Sequence, residues 1–401
     1  MGNAGLSVDH AALAALGREY LLAGHLIDRA GMPQVISRFG RDAMTEVAIE
    51  EWMGASPVYT ARTRHALGFT GDDVPDVFKA MQLDIGAPHG FMDFRYAVTD
   101  AHHGEFHLAS CGALMDVEPL GDEFVVAMCH HIEDPTFDAT ATATNPRARM
   151  RPVHRPPRTP AGRHPHCRWT VEIDADAEPL PVPDAATRVA RSLAASVVLG
   201  PDVAPSYDGR FDPEFRLESL PPAALDRALD EVCLQGHLLA HSFLLAVARR
   251  WGDGAAREVG FLQCAGVAGV VATRLARFLA VDSGADAVAD VLRLHPLLRP
   301  AGYVSADITR DGHDILLTLA DGPALRERDG WSWPALLASD PSAGAAVVDA
   351  LAQGVDPRAR TTVAGPRTWR VTVDPTATAA PEANAVTLTR FSTGADYVFR
   401  T

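Results

Sequence analysis

The chain has 401 residues, of which 47% are hydrophobic and 22% charged, a composition typical of soluble globular proteins and a length that predicts two or three domains. Acidic residues outnumber basic residues by 51 to 36, and the net charge of −15 argues against nucleic acid and anionic membranes as partners. Because the N-terminus has no signal-peptide pattern and no uninterrupted apolar run reaches the length of a membrane span, we expect a cytoplasmic protein.

The first 175 residues predict helices followed by strands. Apolar residues at helical spacing predict helices over 10–31 and 42–53, and Asp72 and Asp73 predict the start of a short helix that ends near residue 83. The remaining predicted elements are strands over 94–99 and 105–111, a helix over 120–133, and strands over 147–154 and 168–173. Helices that precede an antiparallel meander are typical of an α+β domain.

Segments of the first half recur in the second half in the same order. The clearest pairs are Glu19–His25 with Glu231–His237, Asn145–Arg149 with Asp356–Arg360, and Trp169–Asp174 with Trp369–Asp374. The members of a pair stand 200 to 212 positions apart, and ordered matches of this kind indicate a tandem duplication. We therefore expect two α+β domains packed about a pseudo-twofold axis.

Four regions follow from the duplication. They are a first repeat over 10–175, a Pro- and Ala-rich connector over 176–221 with a short helix near 184–198, a second repeat over 222–376, and a C-terminal tail over 377–401. The tail contains an alternating run over 385–391 that predicts one added strand. The expected assembly is a monomer with pseudo-dimeric halves or a homodimer of such chains.

The first repeat contains three cysteines that the second repeat lacks. The aligned residues are Cys111 with Asp321, Cys129 with Asp340, and Cys167 with Arg367. Charged replacements are unexpected for cysteines that only fill a core. Buried cysteines can nevertheless act as small hydrophobic residues, so a purely structural role stays open as the alternative. The first repeat also carries about 11 extra residues near His154–Cys167. Cys233 and Cys264 are expected in the core.

The predicted elements place these three cysteines where their side chains could lie close together. Cys111 is predicted to end a strand, Cys129 to lie on the next helix and Cys167 to begin a strand, so their thiols could converge on a metal. Zinc held by three thiolates would lower the pKa of a bound water and make it a nucleophile. Alternatively, the same residues could hold an iron–sulfur cluster or form a ligand-binding redox module, or one cysteine could itself be the nucleophile.

Polar residues near the cysteines are the other candidates. His130, His131 and Asp138 are assigned to proton transfer, and with Asp134 they are candidate additional metal ligands. The residues assigned to binding a small-molecule substrate, with Arg158 as a further candidate, are Arg151, Arg155, His164 and His166. Glu19 and His25 recur in the second repeat and are therefore expected to be structural.

The order of these motifs resembles the L-2-amino-thiazoline-4-carboxylate hydrolase family. The segments that carry the resemblance are Gly104–Cys111, Cys129–Asp134, Asn145–Pro146 and Cys167–Trp169. The resemblance covers residues 10–175, and the second repeat only in degenerate form. It implies a hydrolase that opens a C–N bond in a small cyclic amidine or thiazoline-like substrate.

Overall fold

Long helices and two four-stranded antiparallel sheets make an α+β fold. The computed structural model describes residues 9–399 apart from 201–206, 208 and 313. The start of the chain and part of the predicted connector therefore lie outside the described residues. Below, "first half" means residues 9–200 and "second half" means residues 222–399.

The helices and strands alternate in the same general order in both halves. In the first half the helices are α1 (His10–Phe39), α2 (Arg41–Leu67), α3 (Val74–Met81), α4 (Gly112–Val117), α5 (Asp122–Val126), α6 (Glu133–Thr142), α7 (Asp184–Val189) and α8 (Leu193–Ser196). Its strands are β1 (Met92–Val98), β2 (His103–Cys111), β3 (Ala148–His154) and β4 (Cys167–Ile173), and a π-helical turn, Ala127–Ile132, joins α5 to α6. In the second half the helices are α9 (Pro222–Leu279), α10 (Ala285–Leu294), α11 (Trp333–Ser339), α12 (Pro341–Gln353) and α13 (Asn384–Thr389). Its strands are β5 (Ala306–Asp311), β6 (Asp314–Leu319), β7 (Ala359–Gly365) and β8 (Thr368–Val373).

The two sheets have the same strand order. The first sheet has the order β1-β2-β4-β3, with Phe106 opposite Trp169, and the second has the order β5-β6-β8-β7, with Leu317 opposite Trp369. Alternate residues of a strand point to the same face of the sheet, and the face that carries these side chains is buried. Each half therefore covers one face of its sheet.

Glycine residues break the long helices at matching places. α1 ends at Gly40, which has a φ of +86°, and α2 begins at the next residue. α9 is interrupted at Gly252, which has a φ of +83°, so it consists of two helical segments. Residues with a side chain rarely adopt this backbone conformation. A helix–Gly–helix unit therefore occurs in both halves.

α9 is long and apolar enough to cross a membrane, judged by length and composition alone. However, 83% of its most apolar window is buried inside the protein, where α9 packs against α1 and α2. The core helix of a globular protein meets the same criteria, so burial accounts for its composition. The expectation that no apolar run is long enough to span a membrane concerns uninterrupted runs, and α9 is not such a run.

The predicted strands of the first half are confirmed within about two residues. The predicted first two helices are too short, because Pro33 and Pro57 lie inside α1 and α2 and do not end them. The helix predicted over 120–133 continues through α6 and contains the π-helical turn. The connector contains two short helices, α7 and α8, where one was predicted.

The strand predicted over 385–391 is wrong, because Asn384–Thr389 form helix α13. Ala385, Val386 and Thr389 are buried, which is a helical spacing and not an alternating one. Thr389 packs so closely on α9 that a side chain at Gly266 would overlap it. The local alternation of small and polar residues is typical of a strand. The segment is helical because its buried face packs on α9.

Several ion pairs join the halves, and two of them are largely buried. Arg62 donates two hydrogen bonds of 3.0 Å to Glu231, and also binds the carbonyl oxygens of Ala195 and Val197. Arg274 donates to Glu19 at 2.7 and 3.1 Å, and also binds carbonyl oxygens of the chain segment after α13. These contacts give Glu19 and Glu231 the structural role expected from their presence in both halves.

Candidate functional site

A cavity of about 110 Å³ lies inside the first half. Its walls come from α1, α2, the segment after α3, β1, β2, the π-helical turn and α6. A buried apolar cavity of about 150 Å³ holds benzene, so this cavity has room for a slightly smaller molecule, roughly one five-membered ring. Much of the wall is apolar, and a few polar side chains reach it, which is the usual character of a small-molecule site.

His25 of α1 is one of these polar side chains. It is only 3% exposed, and neither ring nitrogen has a hydrogen-bond partner within the described part of the chain. Burial, and to a smaller extent the charge of Arg29, hold the pKa of His25 well below its ordinary value of 6.5. The imidazole is therefore neutral near pH 7 and can accept a proton from a molecule in the cavity.

Glu133, the first residue of α6, also lines the cavity. Burial raises the pKa of its carboxyl to about 8, against partial compensation by the charge of Arg155. One carboxyl oxygen, Oε2, is buried without a hydrogen-bond partner among the described residues. Near pH 7 this group is a neutral carboxylic acid with a proton to donate.

Asp84 and Tyr59 form a second polar pair in the wall. The Tyr59 hydroxyl donates to Asp84 Oδ1 at 2.7 Å, and the backbone N–H of Gly86 donates to the same oxygen at 2.7 Å. Burial raises the pKa of Asp84 to about 6, and the two hydrogen bonds limit the rise. Asp84 is therefore ionised at neutral pH and held in one orientation.

Further charged residues of α1 and α2 lie in this wall or next to it. Arg29 lines the cavity and lies 3.0 Å from Asp28, which also accepts a 3.2 Å hydrogen bond from Trp52. Glu51 is fully buried beside Asp28, and burial and the neighbouring charge raise the pKa of Glu51 well above its ordinary value. Burying this many carboxyl groups is costly unless they bind a ligand or share protons.

The three cysteines surround the cavity without lining it. As predicted, Cys111 ends β2 and Cys167 begins β4, and Cys129 lies in the π-helical turn. The Cys111 sulfur lies 3.8 Å from the sulfur of Met92, a residue of the cavity wall. Leu108, which faces the cavity, pairs across the sheet with Cys167.

Burial keeps these thiols protonated. It raises the pKa of Cys111 to about 12, with a further contribution from Glu133. Burial and Glu133 likewise raise the pKa values of Cys129 and Cys167 well above the ordinary range. A nucleophilic cysteine needs a lowered pKa, so this environment does not activate any of the three. All five cysteines are free.

The structure does not bring the three thiols together as a metal site. Within residues 9–399, gaps excepted, a single group of three or more His, Cys, Asp or Glu side chains has its ligand atoms within 4.8 Å of one another. That group is His241, Glu327 and Asp329, in the second half. Three thiolates bound to one zinc at about 2.3 Å would have to meet that criterion.

Other contacts account for the group in the second half. The Glu327 carboxylate accepts hydrogen bonds of 2.8 Å from the N–H groups of Leu193 and Ala194, at the start of α8. It also accepts the hydroxyl of Tyr303 at 3.0 Å. His241 lies 3.2 Å from Asp329. Glu327 therefore already has the role of anchoring α8.

The residues assigned to proton transfer from sequence lie outside the cavity wall. His130 Nε2 is 2.7 Å from the carbonyl oxygen of Pro156, and His131 is exposed on the outer face of the π-helical turn. Asp138 accepts the backbone N–H of Met150 at 2.8 Å and binds Arg151.

The residues assigned to substrate binding also have partners elsewhere. Besides the pair of Arg151 with Asp138, Arg155 pairs with Asp134. Arg158 pairs with Glu118 at 2.7 Å. His164 is exposed, with its ring centre 5.1 Å from that of His166. His166 is buried and its Nδ1 accepts the backbone N–H of Cys111 at 3.2 Å, so it supports the cysteine strand.

Sequence reasoning missed the residues that do line the cavity. His25 was assigned to structure because His237 occupies the aligned position, and Asp84 and Glu133 were not singled out. A signal was present in the alignment of the two halves. Glu133 aligns with Gly344, a loss as marked as that of the cysteines.

Comparisons with known proteins found no match for this chain. No family model matches it, and neither the curated proteins nor the solved structures include a match. The resemblance to the thiazoline carboxylate hydrolases therefore stays a prediction.

Proposed function

We propose that the first half is the catalytic half of a hydrolase that opens a C–N bond in a small cyclic amidine. The observation that carries the proposal is the ring-sized cavity lined by a neutral imidazole, His25, and a neutral carboxylic acid, Glu133. A proton acceptor and a proton donor in one small cavity are the groups that such a hydrolysis requires. The resemblance in sequence suggests the substrate class.

The proposed reaction uses water and no oxidant. His25 takes a proton from water as the water oxygen bonds to the amidine carbon. The ring C–N bond then breaks as the added hydroxyl becomes a carbonyl. Glu133 donates its proton to the departing nitrogen, and the hydroxyl proton reaches the same nitrogen through solvent. His25 returns its proton to Glu133 through solvent, so the product differs from the substrate by one added water. The ionised Asp84, held by Tyr59, would stabilise the positive charge of the protonated amidine.

We propose further that the second half is a duplicated copy without this site. Support comes from the identical strand orders, the helix–Gly–helix units, and the reciprocal ion pairs between the halves. Matching backbone bonds of 2.7 Å, Leu180 N–H to Pro146 and Ala380 N–H to Pro357, point the same way. The second half would then take the place of a partner subunit, in a cytoplasmic protein whose five free thiols suit a reducing compartment.

A metal-dependent form is the second candidate. The supporting observation is that Cys129 interacts electrostatically with both other cysteines and with Glu133. Thiols with raised pKa values would have to lose their protons on binding zinc. Metal analysis and an absorption spectrum of protein purified without oxygen decide this point. Stoichiometric zinc supports the metal-dependent hydrolase, and a brown protein supports the iron–sulfur or redox alternative.

The catalytic proposal is tested by paired substitutions of equivalent histidines. The full-length protein is incubated with a panel of five-membered cyclic amidines, and addition of water is followed by mass spectrometry. His25→Asn and Glu133→Gln should each lower the rate by about 10²–10⁴-fold. The matched control, His237→Asn, should leave the rate nearly unchanged. Full activity of His25→Asn, with unfolding curves like those of the wild type, would refute the proposal.

A further inference from the structure

The C-terminal tail of the second half lies on the first half. In this tail segment, Ser392–Phe399, the hydroxyl of Ser392 donates to Asp116 Oδ2 at 2.6 Å. The backbone N–H and hydroxyl of Thr393 both donate to Asp116 Oδ1 at 2.7 Å. Asp116 belongs to α4, the helix that Cys111 caps. One carboxylate of the first half therefore holds three donors of the second half.

A buried arginine fixes the rest of the tail segment. Arg274 donates to the carbonyl oxygens of Gly394, Ala395 and Tyr397 at 2.9, 3.3 and 2.8 Å. Gly394 then packs so closely on α1 that a methyl group there would lie 3.3 Å from Leu22. The tail segment is thus positioned by side chains from both halves.

Phe91 connects the tail segment to the cavity. Its ring lies edge-on to Tyr397, with ring centres 5.3 Å apart, and edge-on to His25 at 5.4 Å. A side chain at Gly112, the residue after Cys111, would overlap the Phe91 ring. Interiors pack too closely for such a ring to move alone. Displacing the tail segment would therefore disturb both His25 and the turn after Cys111.

The tail segment also borders a groove next to the cavity. An open groove of about 800 Å³ on the outside of the first half is lined by Thr393, Tyr397 and Phe399. The groove shares Met92 and Phe94 with the wall of the inner cavity.

We propose that the tail segment completes the site of the first half, with Asp116 and Tyr397 as positioning residues that hold Phe91 against His25 and keep bulk water from the cavity. This inference rests on the proposed function only in treating the cavity as the site. It assigns the second half a part in the site, beyond that of a scaffold.

The second half contains a corresponding contact that serves as a control. There the residues around α8 of the first half are anchored by Glu327, which also binds Tyr303. Tyr303 aligns with Phe91, and its ring centre lies 5.0 Å from that of His237. Glu327→Ala therefore disturbs the contact of the aligned histidine, His237, in the second half.

The test measures the pKa of both histidines by NMR on full-length protein with ¹³C-labelled histidine, assigned with His25→Asn and His237→Asn. In Asp116→Ala, water should reach the cavity, and the pKa of His25 should rise by about one unit or more towards 6.5, while that of His237 stays near 4. The charged groups around the cavity, Arg29, Asp84 and Glu133, are present in every variant. Asp116→Asn, which keeps one acceptor oxygen, should give a smaller rise.

An unchanged pKa of His25 in Asp116→Ala would overturn the inference, as would an equal rise in Glu327→Ala. If Asp116→Ala does not fold, Tyr397→Leu provides the same measurement with the hydrogen bonds of Asp116 intact. The outcome is separable from the fate of the proposed function. An inactive protein whose His25 pKa still follows Asp116 would refute the hydrolase alone, and an active one whose His25 pKa ignores Asp116 would refute the coupling alone.

Discussion

The two halves have the same strand order and the same helix–Gly–helix unit, and they differ in the residues that pack inside. In the first half α6 begins with Glu133, whose carboxyl lines a cavity. In the second half the aligned residue is Gly344, and the ring of Trp369 approaches so closely that a methyl group on Gly344 would lie 2.9 Å from it. The Trp369 indole donates to the carbonyl oxygen of Pro341 at 2.9 Å. A tryptophan thus packs against the position that in the first half carries the carboxyl.

The residues that replace two of the cysteines have local structural roles. Asp340, aligned with Cys129, caps α12 by accepting the N–H groups of Ser342 and Ala343 at 3.0 and 3.1 Å. Asp321, aligned with Cys111, pairs with Arg326 on the surface. Neither residue belongs to the His241 group. The second half therefore keeps the strand order of the first half with local structural residues at these two cysteine positions.

The largest expected effect on stability tests whether the two buried ion pairs between the halves are equivalent. Arg274→Ala leaves Glu19 without its partner in a site where the arginine side chain is 4% exposed, and should lower the free energy of unfolding by about 3–5 kcal/mol. Arg62→Ala does the same to Glu231 and should cost a similar amount. Urea unfolding measures both. A cost confined to one variant would contradict the view that the two pairs are equivalent.

The next prediction concerns the pH dependence of stability that the buried carboxyl of Glu133 gives to the first half. The carboxyl of Glu133 has an ordinary pKa of 4.5 and a folded pKa of about 8, so the folded chain keeps a proton that the unfolded chain loses. Wild-type stability should therefore fall by a few kcal/mol from this group as the pH rises from 4.5 to 8. Glu133→Gln should remove that part of the fall, as seen in urea unfolding at several pH values.

The matched control for this pH effect is Glu258→Gln. Glu258 is 64% exposed on the second half, so its removal should leave the pH dependence as it is in the wild type. If Glu133→Gln also leaves the pH dependence unchanged, the carboxyl of Glu133 is ionised in the folded protein. It could not then be the proton donor of the proposed reaction.

The sequence predicted the sheets of the first half better than the helices, for a physical reason. Alternation in a strand is a local pattern, and it correctly placed Cys111 at the end of one strand and Cys167 at the start of another. The end of α1 depends on Gly40, and the helical state of α13 depends on docking against α9. Neither dependence is visible within a short window of sequence.

The candidate site was predictable only in part for the same reason. The cysteines were noticed because the second half lacks them. His25, Asp84 and Glu133 come from segments about 50 residues apart and meet only when α1, α3 and α6 pack together. The buried atoms of His25 and Glu133 that have no hydrogen-bond partner among the described residues are a property of the folded chain. Comparison of every carboxylate between the halves would have drawn attention to Glu133, but not to His25, which both halves keep.

The smallest predicted effect tests whether the helix breaks at Gly40 and Gly252 are equivalent. Gly40 and Gly252 have φ values of +86° and +83° with extended ψ values, a region that residues with a side chain avoid. Apart from the adjoining backbone, no atom of the described residues lies within 4 Å of a methyl group placed at either position, so replacement acts through the backbone alone. Gly40→Ala and Gly252→Ala should each cost about 1–3 kcal/mol in urea unfolding. Gly254→Ala, also without near neighbours but at a position with no positive φ, is the control and should be neutral or stabilising, because alanine favours helix over glycine. Unequal costs at Gly40 and Gly252 would mean that the two breaks carry different strain, and that the helix–Gly–helix units only look alike.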